Sequence, residues 1–168
     1  MIAHCGNTNY VHSLDEKLND IFLQWLINNG CPINVSNDKG ETAIFHAVHA
    51  AVSGNSRMIE ILINHKADTN ICTTKGYSPL YEACLLGYSR IANILLISGA
   101  KRNMVATTGN TPLHAACWKG HTSIVIDLLQ RGADLTITNN NDHTPLDLAR
   151  LKEHHDIVQN IIRYSNTK

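Results

Sequence analysis

The chain has 168 residues, of which 43% are hydrophobic and 17% are charged, and its formal net charge at pH 7 is zero. This composition is typical of a folded protein rather than a disordered one, and without a basic surplus neither nucleic acid nor an anionic membrane is expected as the main partner. The five cysteines form no C-x-x-C pair and no stretch approaches the roughly 18 apolar residues of a membrane span, so we expect an intracellular, cytoplasmic protein with no membrane insertion.

Glycine and proline recur at a regular interval along most of the chain. Pro79, Pro112 and Pro145 are each separated by 33 residues. Nine of the ten glycines fall into three series, which open, interrupt and close a unit: Gly40, Gly76 and Gly109; Gly54, Gly87 and Gly120; Gly30, Gly99 and Gly132. Glycine and proline residues that recur at such a period are typical of a stacked array of repeats, so the chain divides into consecutive units.

The first unit, residues 7–39, is predicted to be a degenerate N-terminal cap. It lacks the motif that opens the first helix of the later units, but its apolar residues still have helical spacing. These residues are Leu14, Leu18, Ile21, Phe22, Trp25 and Leu26. We expect one amphipathic helix here, with Trp25 facing the core.

The second unit, residues 40–75, is longer than those that follow. Its first helix begins at the motif TAIFHA, and three extra residues lie between Ala47 and Gly54, near Ala51. Three residues make about one helical turn. The excess is either neutral variation of a loop or a protrusion that contacts a partner.

The third and fourth units, residues 76–108 and 109–141, have a complete helix–turn–helix pattern. In the fourth unit, Thr111 is a natural N-cap, and Pro112 follows at the first helical position, where its missing N–H is tolerated. Small residues follow on the first helix, and bulky aliphatic residues recur at helical spacing on the second. Neither helix can bury its face alone, so we expect the units to stack into a curved solenoid.

The last unit, residues 142–168, is predicted to be a C-terminal cap. It opens with TPLDLA, has a more polar helix junction, and ends on its second helix. The predicted organisation is therefore a single all-α domain over residues 1–168, with three full units between two caps.

These units resemble ankyrin repeats. TPLHAA at 111–116 matches the motif of that family fully, and SPLYEA at 78–83, TAIFHA at 42–47 and TPLDLA at 144–149 are modified copies. The endings HKADTN, SGAKRN and RGADLT match the close of the family's repeat. The resemblance implies an ankyrin-repeat solenoid with hairpin-like links, whose first helices and hairpin tips form a concave face that binds partners.

Carried over position by position, this resemblance predicts a partner-binding strip. Its members lie at the hairpin tips and at the ends of the first helices: Tyr77, Leu85, Leu86, Asn110, Trp118, Lys119, His143 and Lys152. Exposed apolar residues grouped in this way usually indicate an interaction site, and Trp and Tyr are favoured anchors. In the alternative interpretation, Trp118 and Leu86 fold over the helix junction and only cover the core.

Other polar residues are assigned structural roles or alternatives. The resemblance implies that His114 bonds to neighbouring backbone, and that Asn34, Asn70 and Asn103 lie where the family is hydroxylated; otherwise these asparagines stabilise their turns. No histidine or cysteine pattern indicates a metal site, and no catalytic motif is present. We therefore expect no cofactor and no enzymatic activity.

The predicted function is non-catalytic binding of a protein partner of unknown identity by a monomer. The protein would act as an inhibitor, an adaptor or an assembly factor. Two alternatives stay open. The first is a targeting module of a larger enzyme, or a secreted effector of an intracellular pathogen acting in the host cytoplasm. The second is a structural tether to the cytoplasmic tail of a membrane protein.

Overall fold

The computed structural model describes residues 16–51 and 56–166. Within these ranges the chain forms nine α-helices, and the only β pairing is an isolated bridge between Ser36 and Thr42. The helices are α1 (Glu16–Asn28), α2 (Ala43–His49), α3 (Arg57–Asn64), α4 (Pro79–Leu86), α5 (Ser89–Ile97), α6 (Pro112–Lys119), α7 (Thr122–Gln130), α8 (Pro145–Leu151) and α9 (His155–Asn166).

The helices pack in two rows. Helices α2, α4, α6 and α8 follow one another in the first row. In the second row α1 packs against α3 and α7 packs against α5 and α9, while Arg90 on α5 lies 3.5 Å from Glu60 on α3. Each first-row helix also packs against the second-row helix that comes next in the chain. This is the stacked helix–turn–helix solenoid that the repeat pattern predicts, so the predicted fold class is confirmed.

Each first-row helix begins in the same way. A hydroxyl at the N-cap accepts a hydrogen bond from the backbone N–H three residues later, a donor that the helix itself leaves without a partner. The N-caps are Thr42, Ser78, Thr111 and Thr144. In α8 the bonding is reciprocal, because Asp147 accepts from the Thr144 hydroxyl at 2.6 Å and from its N–H at 2.9 Å. These bonds hold the pKa of the Asp147 carboxyl below its ordinary value.

The core is continuous along the stack and lies between the rows. First-row helices contribute small buried residues that let neighbouring helices approach closely: Ala83, Cys84, Ala116, Cys117 and Ala149. Second-row helices contribute branched aliphatic side chains that are fully buried: Ile59, Leu62, Ile91, Leu95, Ile124, Leu128, Ile157 and Ile161. The predicted division into small and bulky helix faces holds only in part, because the first-row helices also bury Ile44, Leu80 and Leu113.

Hairpin-like turns precede the first-row helices and bond to one another. In the turn before α6, the N–H of Gly109 donates to the carbonyl of Ala106 at 2.9 Å. Backbone bonds between consecutive turns run from Thr74 N–H to Lys39 O at 2.8 Å, from Thr107 N–H to Lys75 O at 3.1 Å, and from Asn140 N–H to Thr108 O at 3.0 Å. These bonds hold the units in register along one edge of the stack.

Each of these turns contains one residue with a positive, left-handed φ. This residue is glycine where the next turn packs against it. Gly109 has φ of 79°, and a Cβ built on it would lie 2.5 Å from the backbone nitrogen of Asn140 in the next turn. Asp142 stands in the equivalent position of the last turn, with φ of 58°. Aspartate tolerates this conformation better than most residues, and no later turn in the described chain packs against it.

The ends of the first-row helices follow the same pattern. Gly120 ends α6 with φ of 79°, and a Cβ on it would lie 2.7 Å from Cε1 of His154, whose Nε2–H donates to the Trp118 carbonyl at 3.3 Å. One repeat later the equivalent residue is Glu153, with φ of 58°. Glycine therefore occurs at the junction that receives a side chain from the next unit.

Two predictions for the N-terminal half have different outcomes. The prediction that Trp25 faces the core is wrong, because its side chain is 58% exposed. Helix α1 lies at one end of the second row and packs against α3, and Leu23 contacts the core in place of Trp25.

The three-residue excess near Ala51 stays untested, because residues 52–55 lie outside the described ranges, as do residues 7–15 of the predicted cap. The unit boundaries likewise stay predictions.

Candidate partner-binding groove

A groove of about 380 Å³ runs along α4, α6 and α8 and the turns that precede them. Its lining residues are Tyr77, Tyr81, Leu85, Asn110, His114, Ala115, Trp118, Asn139, Asn141, His143, Leu148 and Leu151. Five residues of the predicted strip are among them: Tyr77, Leu85, Asn110, Trp118 and His143. The structure therefore brings together residues from three consecutive units, as stacking at a fixed period requires.

Trp118 lies at the centre of this groove and is 37% exposed. The ammonium of Lys152, which comes from the next unit, lies 3.8 Å from the centroid of the indole ring. A cation over an aromatic face is attracted by the negative potential of the ring. The cation that accompanies Trp118 is thus Lys152, which the sequence places in the strip but does not pair with the indole.

Three residues of the predicted strip do not line the groove: Leu86, Lys119 and Lys152, the last of which reaches it only over the ring of Trp118. Leu86 is 36% exposed but does not line it, whereas its neighbour Leu85 lines it and packs against the core. Lys119 is exposed and does not line it, although Trp118 does. Consecutive residues of a helix point in directions about 100° apart, which turns Leu86 and Lys119 away from the groove that Leu85 and Trp118 line.

Two stacked tyrosines form one wall of the groove. The rings of Tyr77 and Tyr81 are 4.7 Å apart between centroids and are inclined by only 2°. Burial raises the pKa of Tyr81 to about 12, so its phenol is neutral near pH 7. Tyr81 is not part of the predicted strip: it occupies the fourth motif position, to which the resemblance assigns a structural role in His114.

His114 forms part of the buried floor, and its ring hydrogen-bonds to the N–H and hydroxyl of Thr111 and to the carbonyl of His143. Its Nδ1 accepts from the N–H of Thr111 at 3.1 Å, and its Nε2 lies 3.1 Å from the carbonyl of His143 in the next turn. These contacts fit a neutral imidazole protonated at Nε2. The predicted role of His114 in bonding to neighbouring backbone is confirmed.

The first row carries a buried charged residue near its α2 end. Glu82 on α4 is buried, and its carboxylate lies 2.7 Å from Nδ1 of the exposed His49 on α2. The position of Glu82 is taken by Ala115 on α6 and by Leu148 on α8, and both of these line the groove. At this repeat position the side chain is therefore charged on α4 and apolar on α6 and α8.

The chain matches the family described as "Ankyrin repeats (3 copies)" over residues 11–106 and again over residues 91–168. The chain belongs to the ankyrin-repeat family. Ankyrin repeats are generally modules of protein–protein interaction, and the family typically acts without catalysis. In this ankyrin-repeat protein the groove lies on the first-row helices and their turns, where the resemblance places the partner-binding face.

The three asparagines that lie where the family is hydroxylated form hydrogen bonds between consecutive repeats. Their side-chain oxygens each accept a backbone N–H of the next unit: Asn34 from Asp68 at 2.8 Å, Asn70 from Lys101 at 2.8 Å, and Asn103 from Asp134 at 3.0 Å. These bonds support the turn-stabilising alternative and extend it, because each bond runs between units. Hydroxylation stays a prediction. Mass spectrometry of the peptides that contain these asparagines would test it, because hydroxylation adds one oxygen atom to the side chain.

Reactive side chains of the ankyrin core are not available for chemistry. Cys84 and Cys117 are fully buried, and burial raises the pKa of both thiols, that of Cys117 to about 12. Over residues 16–51 and 56–166, no three histidine, cysteine or acidic side chains are grouped so that they could hold a metal ion. None of the helices in these ranges is long and apolar enough to cross a bilayer.

We expect His114 to make folding sensitive to mild acid. Burial lowers the pKa of this imidazole below its ordinary value of 6.5, although the bond to the His143 carbonyl opposes the shift. The unfolded chain therefore binds the proton first as the pH falls, so the stability contributed by neutral His114 is complete above about pH 6.5 and declines below it. The free energy of unfolding should fall between pH 7 and pH 5 by up to about 1.4 kcal/mol per pH unit from this residue.

Urea unfolding of the wild type and of His114→Tyr at several pH values measures this effect. Tyrosine is the matched replacement, because Tyr81 occupies the same position on α4. The variant should be less stable at pH 7 but should lose less stability on acidification, since the other histidines are common to both proteins. Parallel pH profiles would show that His114 is not the titrating group.

Proposed function

We propose that this ankyrin-repeat protein binds a protein partner in the groove of α4, α6 and α8, and that it acts without catalysis by occupying that partner. The observation that carries the proposal is the apolar lining around the half-exposed Trp118, contributed by three units. Apolar surface left in contact with water in this way is typical of interaction sites. Inhibitor, adaptor and assembly factor are all consistent with such binding.

The framework around the groove supports tight binding. Its helices rest on a continuous buried core, and its turns are joined by backbone hydrogen bonds. A preorganised site loses little conformational entropy when it binds, so more of the contact energy appears as affinity. Trp118 and Tyr77 are the two aromatic anchors that we expect to contribute most.

We expect Trp118→Ala to weaken partner binding by about 30-fold, as the loss of roughly 2 kcal/mol at an anchor residue would do. The partner would first be captured from a lysate of the source organism, and its Kd would then be measured by calorimetry. Trp25→Ala is the matched control, because it removes the other tryptophan from an exposed position on α1. Circular dichroism would establish that both variants are folded.

The identity and site of the captured protein decide the next step. Binding that survives Trp118→Ala but is lost in Trp25→Ala would contradict the proposal and would move the site to the α1–α3 end. A partner that is the cytoplasmic tail of a membrane protein would favour the tether, and a host protein would favour the secreted effector. A fused catalytic domain in the natural protein would favour the targeting module.

A further inference from the structure

We propose that the groove recognises an extended peptide segment in which a large apolar side chain is followed within a few residues by a carboxylate. The apolar side chain lies against Trp118, and the carboxylate pairs with Lys152. This inference rests on the proposed function, because it specifies the chemistry of the partner for the same groove. The groove is expected to bind an acidic, apolar segment and to disfavour a basic one.

The apolar requirement comes from the residues around Trp118. Leu85 and Leu148 lie on the neighbouring helices, and Leu151, which is 61% exposed, extends the apolar surface toward the end of α8. At about 380 Å³ the groove is at the lower end of the roughly 300–1,000 Å³ that ligand sites enclose. It therefore suits a few side chains of an extended segment better than a folded surface.

The anionic requirement comes from the distribution of charge. None of the residues that line the groove carries a carboxylate. Lys152 lies over the Trp118 ring, and neither it nor Lys119 takes part in any ion pair among the described residues. An aromatic ring attracts the ammonium but does not neutralise it, so the positive charge remains available to a carboxylate.

The nearby acidic residues do not compete for this ammonium within the groove. Asp147 is bonded to the hydroxyl and N–H of Thr144 and lies 3.8 Å from Arg150. Glu82 is paired with His49 at the α2 end. Glu153 follows Lys152 in sequence but forms no ion pair with it.

Basic segments are disfavoured by the same geometry. A lysine or arginine of the occupant would meet the Lys152 ammonium and would compete with it for the face of Trp118. Like charges brought together in this way are a common source of specificity. The opposite edge of the groove accommodates the peptide backbone, because the Asn141 amide and the His143 ring line the groove and make no hydrogen bond with other described side chains or backbone.

The test uses peptides and the 168-residue chain. Random heptapeptides displayed on phage would be selected on wild-type protein and counter-selected on Trp118→Ala. The best sequence would then be synthesised with Glu, Gln or Lys at its acidic position. Binding would be followed by the fluorescence of Trp118 in a Trp25→Phe background, which leaves a single indole to report.

We expect the Glu peptide to bind at least about tenfold more tightly than the Lys peptide, with an affinity that falls as salt increases. Lys152→Glu should reverse this order, and Lys152→Met, which keeps an apolar stem, should abolish the preference. Lys119→Glu is the matched control, because it reverses a charge next to Trp118 in sequence, whereas the ammonium that lies over the indole ring belongs to Lys152. It should change the ratio by less than about threefold.

Three results would overturn the inference: equal affinity for the three peptides, a preference that survives Lys152→Glu, or no selected peptide at all. None of these concerns the proposed function itself, which depends on whether Trp118→Ala loses the captured protein. A protein that binds through Trp118 without any charge preference would preserve the function and overturn only the partner chemistry.

Discussion

Replacement of Leu113 by alanine is expected to lower the free energy of unfolding by about 2–5 kcal/mol. Leu113 lies in the first turn of α6 and is only 1% exposed. Helix α6 packs against α4, α7 and α8, so the cavity would open in the middle of the stack. The surrounding helices are held by capping bonds and turn-to-turn bonds and can collapse into the space only in part.

Equilibrium unfolding in urea, followed by circular dichroism, measures this change. Leu86→Ala is the matched control: it deletes the same atoms from the exposed end of α4 and should cost less than about 1 kcal/mol. A loss below about 1 kcal/mol for Leu113→Ala would contradict the assigned helix face. Because stability in a stack is approximately a sum of units and interfaces, a large loss should also make the transition less cooperative.

Gly109→Ala is expected to lower the free energy of unfolding by about 2–5 kcal/mol, for a different reason. The left-handed φ of 79° costs an alanine about 1–2 kcal/mol. The new Cβ would also lie 2.5 Å from the backbone nitrogen of Asn140, where no flexible side chain can move aside. The next turn would have to shift, which would break the bond from Asn140 N–H to the Thr108 carbonyl.

Gly99→Ala separates the two contributions to this loss. Gly99 has φ of 91°, but a Cβ on it would have no atom within 4 Å. Only the conformational cost should remain, at about 1–2 kcal/mol. Thermal and urea unfolding of both variants would measure the difference. Equal losses would mean that the turn at Asn140 moves at no cost, and would contradict the role given to close packing between turns.

The fold could be predicted because its signals are local and repeated. The prolines at helix starts and the glycines at turns each impose a backbone conformation, and their period aligns one unit with the next. The position of Trp25 could not be predicted in this way. Spacing identifies an apolar stripe on a helix, but at the end of a row it does not say which side of the helix a neighbour covers.

The groove could be predicted in part for a related reason. Equivalent positions of successive units align along the stack, which correctly brings Tyr77, Leu85 and Trp118 together. Spacing does not fix the exact helical phase, so the predicted strip includes Leu86 and Lys119 and omits Tyr81. The contact of Lys152 with the indole depends on side-chain conformations across a unit boundary. A repeat pattern carries no information about those conformations.

The left-handed positions of the turns and helix ends have a consequence for lengthening the array by design. Glycine stands where the next unit makes contact, at Gly109 and Gly120, whereas Asp142 and Glu153 fill the corresponding positions of the last described unit with side chains. A grafted repeat of the same geometry would clash with both side chains and could not pack closely. Glycine at 142 and 153 would remove both of these obstacles to a further unit.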